Sequence, residues 1–396
     1  MSDIYWDPFD TEIDTNPHPV WTRMRDEAPV YRNDRFDFWA LSRFHDVEAA
    51  HRDPGTYSSA HGTVLEIMGP DLSNTGQIIF MDPPEHTIHR ALVSRAFTPR
   101  RMAAMEDEVR GLCAELLDPH VGSTGFDFVQ DFGAQLPSRV IARLVGVPDE
   151  DREEQRHNID GIFHIEPGVG MINETALGFR IKLYEYLDAL VERRMADPTT
   201  DDLISVLCHA EITDEHGEVR SLTRSEITDF TLLLFTAGTE TVMRLLGNAA
   251  VLLAEHPDQR SDLVAHPELV PNAIEELLRF EAPSPVQGRW TTREVTVHDV
   301  TIPEGSKVLL LTGSAGRDER VYPDPDRFDV RRQFAHHVSF GYGIHFCVGA
   351  ALARMEGRIG LEEALRRFPD WQVDPDRVVR QHTSTVRGYS QVGVLV

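Results

Sequence analysis

The sequence predicts a mainly α-helical fold with small β-sheets. Amphipathic helical patterns fill residues 101–215, and residues 223–255 predict one long helix that is apolar almost all round near its middle. Strand patterns are few and short, near residues 29–41 and 294–312. No Gly/Ser tract, low-complexity block or internal repeat divides the 396 residues, and we therefore predict a single domain over residues 1–396.

The first predicted elements are two strands, a helix and a long loop. Residues 29–33 and 36–41 predict strands joined by a polar turn, and a helix is expected over residues 44–52. Residues 58–80 then predict a loop with scattered apolar side chains. A loop of this length in a compact chain is typical of a functional or mobile segment, and we expect it to form a gate together with residues 166–170.

A helix start follows this loop. Asp82-Pro83-Pro84-Glu85 predicts it, with Asp82 as the N-cap and proline in the first position. The helix is expected to reach about Phe97. It places His86 and Arg90, four residues apart, on one face.

The C-terminal half predicts a long helix and then paired strands. Thr223 and Glu226 form a capping box, and the helix that they begin should end before His256-Pro257. Residues 294–298 and 307–312 predict two strands that pair across a turn at residues 303–305.

Composition excludes several functional classes. The net charge of −26 argues against nucleic-acid binding, which usually needs a basic face. Three cysteines without a spacing pattern favour a reducing cytoplasm over a disulfide framework. No apolar run approaches the roughly 18 residues of a membrane span, and the N-terminus has no apolar signal core. We expect a cytoplasmic protein with no membrane anchor.

The most informative segment is Phe340-Gly341-Tyr342-Gly343-Ile344-His345-Phe346-Cys347-Val348-Gly349, which precedes an alanine-rich helical run. A cysteine before a helix start suits a thiolate that must stay ionised, because the N–H groups and dipole of the helix lower a thiol pKa. The glycines allow the backbone to approach a flat group. A small buried cysteine, a zinc site and a cysteine hydrolase are the alternatives. Zinc needs about four ligands and a hydrolase needs a base, and neither set is evident.

This segment resembles the haem-binding loop of the cytochromes P450, Phe-x-x-Gly-x-His-x-Cys-x-Gly, at every fixed position. The resemblance implies the P450 fold, a helical domain that encloses haem together with a small β region. It implies haem b as the cofactor and Cys347 as the axial ligand of the haem iron. Phe340, Gly341 and Gly349 would shape the loop around the cofactor.

A second motif lies in the long helix, where Ala237, Gly238, Thr239, Glu240 and Thr241 follow one another. A threonine hydroxyl can bond the carbonyl four residues back, and glycine weakens a helix locally, so an opened groove is expected here. An ordinary buried helix is the alternative. The motif resembles the oxygen-activation motif of the P450 family. That resemblance makes Glu240 and Thr241 its acid–alcohol pair.

The resemblance extends to structural and cofactor-binding positions. Glu276 and Arg279 match the Glu-x-x-Arg motif of the family, which an arginine matching Arg327 would complete as support for the cysteine loop. Haem propionates need cationic donors, and the family supplies them from positions that match His86, Arg90, Arg289 and His345. One departure is Ser314-Ala315-Gly316, where many bacterial members have an asparagine.

The implied function is a monooxygenase that inserts one atom of O2 into a small apolar substrate of terpenoid, fatty-acid-like, steroid or polyketide type. Ferredoxin and ferredoxin reductase, as separate proteins, would supply electrons, and we expect a monomer. A basic patch could dock the ferredoxin, with arginines 95, 100, 101, 354 and 358 as candidates. A peroxide-driven oxidase and a haem-binding protein without turnover are the alternatives. Six residues are expected to line the substrate pocket: Val64, Leu65, Leu233, Thr236, Val286 and Gln287.

Overall fold

The computed structural model describes residues 4–70, 76–97, 99–166, 170–197, 202–213 and 217–396, without the side chains of residues 94–96 and 99–101. Its α-helices are α1 (Thr11–Thr15), α2 (His18–Glu27), α3 (Phe44–Arg52), α4 (Glu85–Ala96), α5 (Pro99–Leu117), α6 (Gln135–Val145), α7 (Arg152–Ile162), α8 (Glu174–Ala196), α9 (Leu203–Cys208), α10 (Arg224–Glu255), α11 (Pro257–Ala265), α12 (Val270–Phe280), α13 (Thr312–Ala315) and α14 (Ala350–Arg367).

The strands are short except for the last two. They are β1 (Val30–Asn33), β2 (Phe38–Leu41), β3 (Tyr57–Ser58), β4 (Gly125–Asp127), β5 (Glu211–Thr213), β6 (Val219–Ser221), β7 (Gln287–Thr291), β8 (Val295–Val297), β9 (Val300–Ile302), β10 (Lys307–Leu310), β11 (Gln372–His382) and β12 (Arg387–Leu395). The fold class predicted from the sequence, mainly α with small sheets, is confirmed.

Helix α10 runs through the main hydrophobic core. It begins at the predicted capping box, in which the Thr223 hydroxyl and the Glu226 carboxylate each accept a hydrogen bond from the other residue's backbone N–H. It packs against α6, α8, α14 and β12. Most of its side chains from Ile227 to Leu253 are buried, as the nearly continuous apolar sequence predicted. Helix α10 therefore contacts elements on several of its sides and holds them in place relative to one another.

The main sheet has the strand order β1-β2-β10-β7-β3 and joins the N-terminal strands to the C-terminal half. Strands β1 and β2 pair antiparallel with Val30 opposite Leu41, as expected from their adjacency. Strand β10 pairs with β2 in parallel and with β7 antiparallel. A second sheet, in the order β11-β12-β4, lies against α10 through β12.

The predicted pairing of residues 294–298 with 307–312 is wrong. Strand β8 instead pairs with β9, and the two join through His298 and Asp299 at φ angles of 48° and 63°. Two consecutive residues with positive φ form the tight turn that matches the twist of a hairpin. The predicted turn at residues 303–305 therefore connects two different sheets.

The segment of residues 58–80 contains more structure than the expected loop. Strand β3 pairs with β7, and 3₁₀ turns span Leu65–Ile67 and Ile78–Phe80. Part of each expected gate, residues 71–75 and 167–169, lies outside the described residues. Asp82 does not cap α4, whose N-cap position is Pro84 without a side-chain bond. The Asp82 carboxylate instead accepts hydrogen bonds from the Ser58 hydroxyl and, at 2.9 Å, from the Ser59 N–H.

Among the described residues, the helices are all too short or too polar to cross a membrane.

Candidate functional site

The cysteine loop is held in shape by two glycines and a backbone bond. Gly341 and Gly343 both have φ of 69°, a conformation that disfavours other residues. A Cβ atom on Gly343 would lie only 2.4 Å from the His51 carbonyl oxygen of α3. The Cys347 N–H donates to the Phe340 carbonyl at 2.9 Å and closes the loop. Gly343 therefore serves both the turn and the close approach of α3.

The Cys347 side chain lies just before α14 and retains accessible surface. Burial raises the pKa of its thiol, whereas a hydrogen bond from the Gly349 backbone and the Arg90 and Arg354 guanidinium groups lower it. The sequence predicted a lowered pKa from the helix start. The Gly349 bond acts in that direction, but burial outweighs it. Because the Cys347 side chain is accessible and yet closely surrounded by protein, it must face a concave space.

Three histidines gather beside this loop. The His86 and His345 rings lie 4.3 Å apart between centroids, and Cε1 of His51 lies 3.7 Å from where a Gly341 Cβ would be. Both ring nitrogens of His51 and His86, and Nε2 of His345, are buried without a hydrogen-bond partner among the described residues. Such groups are uncommon in folded proteins. The sequence did not single out His51, since only the fold brings α3 to the loop.

Burial keeps these rings neutral. It lowers the pKa of His86 to about 4, that of His51 to about 3 and that of His345 to about 2. Arg90 donates to the Phe346 carbonyl at 2.6 Å, so α4 is tied directly to the cysteine loop. Arg289 lies in β7, and burial lowers its pKa to about 10. Histidine and arginine donors thus surround one side of the loop.

On α10, a strip of residues within the core keeps accessible surface. Ala237 is exposed, and Thr236, Gly238 and Thr241 are partly exposed, although most of their helical neighbours are buried. The Thr241 hydroxyl donates to the Ala237 carbonyl at 3.0 Å, as the sequence suggested. Helix α10 is continuous through this motif. Gly238 serves packing, since a Cβ there would lie 3.2 Å from Cγ1 of Ile141 on α6.

Glu240 is buried and faces a cation. Its carboxylate accepts a hydrogen bond from the Arg244 guanidinium, one turn later on α10. Burial raises the pKa of Glu240, Arg244 lowers it, and Asp160 raises it. The acidic residue of the motif is therefore held in an ion pair, whereas Thr241 lies on the accessible strip.

Comparison with known proteins identifies the family. The family model Cytochrome P450 matches residues 37–265 and 259–390. This chain belongs to the cytochrome P450 family. It is an oxidoreductase of the monooxygenase type, and its cofactor is haem b.

Relatives of this P450 match over nearly their whole length. A putative cytochrome P450 123 of Mycobacterium tuberculosis is 40% identical over 100% of this chain and 97% of its own. Vitamin D(3) 25-hydroxylase of Pseudonocardia autotrophica is 37% identical over 96% of this chain and 93% of its own. A solved structure of a P450 EryK mutant with erythromycin B has a TM-score of 0.88 at 34% identity and covers 99% of this chain and 98% of that one.

The Glu-x-x-Arg pair of this P450 is fully buried. Arg279 donates two hydrogen bonds to Glu276, at 2.7 and 2.8 Å. The third member is Arg332, whose Nε lies 3.2 Å from Glu276 and whose side chain is 10% exposed. The expectation for Arg327 is wrong, because its side chain is 70% exposed and its ion pair is with Asp329, at 3.8 Å. The sequence offered several nearby arginines and no means of ranking them.

The departure at residues 314–316 has a structural explanation. A Cβ on Gly316 would lie 2.3 Å from the Arg279 carbonyl oxygen, and the Gly316 carbonyl accepts a hydrogen bond from the Arg279 side chain at 2.7 Å. The Ser314 hydroxyl donates to the Ser42 carbonyl at 2.9 Å. This segment thus packs around the buried arginine of the P450.

The six residues expected to line the P450 pocket fall into two groups. Leu65 and Val286 are buried in a separate hydrophobic cluster with Trp6 and Trp21, and Leu233 is buried in the main core. The other three are partly exposed: Val64, Thr236 and Gln287.

The arginines expected to dock a redox partner are engaged in ion pairs where the structure describes them. Arg354 binds Glu275 with two hydrogen bonds, at 2.7 and 2.9 Å, and Arg358 lies 2.7 Å from Glu106. The side chains of residues 95, 100 and 101 lie outside the described part of the chain.

Proposed function

We propose that this P450 is a haem-thiolate monooxygenase that inserts one atom of O2 into an apolar organic skeleton, with Cys347 as the protein ligand of the haem iron. The observation that carries this proposal is the group of buried ring nitrogens on His51, His86 and His345, which find no partner among the described residues beside the accessible Cys347. A buried unpaired polar group costs about 1–3 kcal/mol. Each neutral imidazole carries one N–H group, and the propionates of haem b would accept hydrogen bonds from these N–H groups.

The cations complete the fit to haem b. Arg289 is buried, and the acidic group that acts on it is Asp82. Arg90 is already bonded to the cysteine loop. Arginine and histidine bind carboxylates through directional hydrogen bonds. When bound, haem b supplies the activation of O2, and a thiolate ligand favours it by pushing electron density toward the iron.

Two residues of α10, Thr241 and Glu240, would hold and transfer protons. Thr241 lies on the accessible strip of α10, and its hydroxyl hydrogen can rotate away from the Ala237 carbonyl to donate toward the site. Glu240 would supply the proton as the acid of the pair. Ala237, whose side chain is a single methyl group, is exposed on the same strip one turn before Thr241.

For the substrate class, we favour a steroid-like or polyketide skeleton. Two comparisons support it: a relative named for hydroxylation of vitamin D(3), and a structural neighbour with bound erythromycin B. We further propose that ferredoxin and its reductase deliver the electrons and that the enzyme acts as a monomer.

Haem retention tests the site. We expect His345→Leu to lower the haem content and to weaken the binding of haem to the apoprotein, because one propionate donor is lost. His45→Leu is the matched control, since the His45 side chain is 75% exposed. Equal haem content and affinity in the two variants would contradict the placement of the propionates.

Turnover assays test the reaction. A monooxygenase should consume NADH and form product with an added ferredoxin system, whereas a peroxide-driven oxidase should form product with hydrogen peroxide alone. A haem-binding protein without turnover should do neither. Vitamin D3 and erythromycin B are suitable first probes, and a ligand-induced high-spin shift of the Soret band would identify further candidates.

A further inference from the structure

The Glu240–Arg244 ion pair is enclosed more completely than most. The two side chains are 2% and 3% exposed, and they lie one turn apart on α10. Two charges so far from water are tolerated only when each satisfies the other, and removal of one partner leaves a costly buried charge. The pair therefore fixes the position of the Glu240 carboxylate.

Arg244 has a second partner in another element. Its guanidinium also donates to the backbone carbonyl of Tyr389 on β12. A Cβ on the adjacent Gly388 would lie 2.9 Å from Cβ and Cδ of Arg244. Glycine at this position therefore permits the close contact between the hairpin and the aliphatic part of the Arg244 side chain. One side chain thus connects the acid on α10 to the hairpin of β11 and β12.

The other charged group that acts on Glu240 comes from α7. Asp160 opposes Arg244 by raising the pKa of Glu240, and it is itself paired with Arg156 at 2.6 Å. The β12 hairpin contributes the Tyr389 carbonyl, which is neutral. Arg244 is therefore the cation that stabilises the ionised form of Glu240.

We propose that Arg244 is a positioning residue of the oxygenation reaction: it sets the place and the charge of the Glu240 carboxyl group and couples both to the β11–β12 hairpin. The proposal rests on the proposed role of Glu240 as proton donor. If the hairpin were displaced, Arg244 would lose its hydrogen bond to the Tyr389 carbonyl, and its interaction with the Glu240 carboxylate would change. The ability of Glu240 to donate a proton would then depend on the position of the β11–β12 hairpin.

Infrared titration of the carboxyl group tests this proposal on the haem-loaded protein. The carbonyl stretching band of protonated Glu240 is assigned by its loss in Glu240→Gln. We expect its titration midpoint to move upward in Arg244→Gln, because glutamine keeps a polar amide but removes the positive charge. Arg244→Lys should restore the midpoint toward that of the unmodified protein. Arg23→Gln, which breaks an exposed pair with Glu27, should leave it unchanged.

The direction of the change separates positioning from packing. If Arg244 only fills space, its replacement admits water, and the midpoint falls toward the ordinary range of a carboxyl group. A fall or an unchanged midpoint in Arg244→Gln would overturn the proposal.

Gly388→Ala provides a second test that keeps every charge. The new methyl group would press on the Arg244 stem from the hairpin side, and we expect the midpoint to move upward as well. An unchanged midpoint would overturn the coupling to the hairpin. Product formed per NADH in Glu240→Gln tests the proposed function separately: unchanged coupling there would remove Glu240 as donor while the titration still decides the role of Arg244.

Discussion

The close contact between Gly343 and α3 makes one substitution in the cysteine loop informative. In Gly343→Ala, the new Cβ would sit 2.4 Å from the His51 carbonyl oxygen, at a φ of 69°. A Cβ atom essentially never lies within 3.0 Å of a heavy atom of a residue that is distant in the sequence, so the loop or the end of α3 must move. Because α3 carries His51 and the loop carries Cys347, the movement would separate groups that belong to one site.

The magnitude has two parts. A left-handed conformation costs a non-glycine residue about 1–2 kcal/mol. Overpacking against a fixed neighbour adds about 1–3 kcal/mol. Gly122→Ala isolates the first part, because Gly122 has a φ of 82° and open space around its Cβ position. Gly343→Ala should therefore lower the free energy of unfolding by about 1–3 kcal/mol more than Gly122→Ala does.

Urea unfolding followed by circular dichroism, with haem content measured in parallel, provides the assay. The change in unfolded-chain entropy on replacing glycine by alanine is common to both variants and cancels in the comparison. We expect a lower midpoint and lower haem content in Gly343→Ala, and near-normal haem content in Gly122→Ala. Equal midpoints and equal haem content would refute the argument that the α3 contact requires glycine.

Three further predictions concern the chemistry and its support. Cys347→His should lose the red-shifted Soret band of the reduced CO complex, and a wild-type band at the imidazole position would contradict thiolate ligation. Thr241→Ala should bind haem normally but form less product per NADH; unchanged coupling would remove its hydroxyl from the proton relay. Arg332→Leu should destabilise the fold by about 1.5–3 kcal/mol, because it loses the hydrogen bond to Glu276 and those to nearby backbone carbonyls. Arg327→Leu should change stability by no more than about 0.5 kcal/mol, as urea midpoints can show.

The sequence by itself determined the features that depend on local chemistry. The capping box at Thr223, the buried character of α10 and the strands near Val30 and Phe38 follow from patterns a few residues long, and the structure confirms them. The cysteine loop was recognisable for the same reason, because its glycines and Cys347 stand together in the chain. Short-range order suffices wherever a feature is made by neighbouring residues.

Only the tertiary structure decided which distant groups meet. It placed Arg332 rather than Arg327 on Glu276, and it brought His51 beside the cysteine loop. It also paired Glu240 with Arg244, a spacing common on helices that becomes significant only because both side chains are buried. Burial determines how strongly two charged groups interact, and long-range packing determines which acceptor each donor meets. Neither can be predicted from the local sequence.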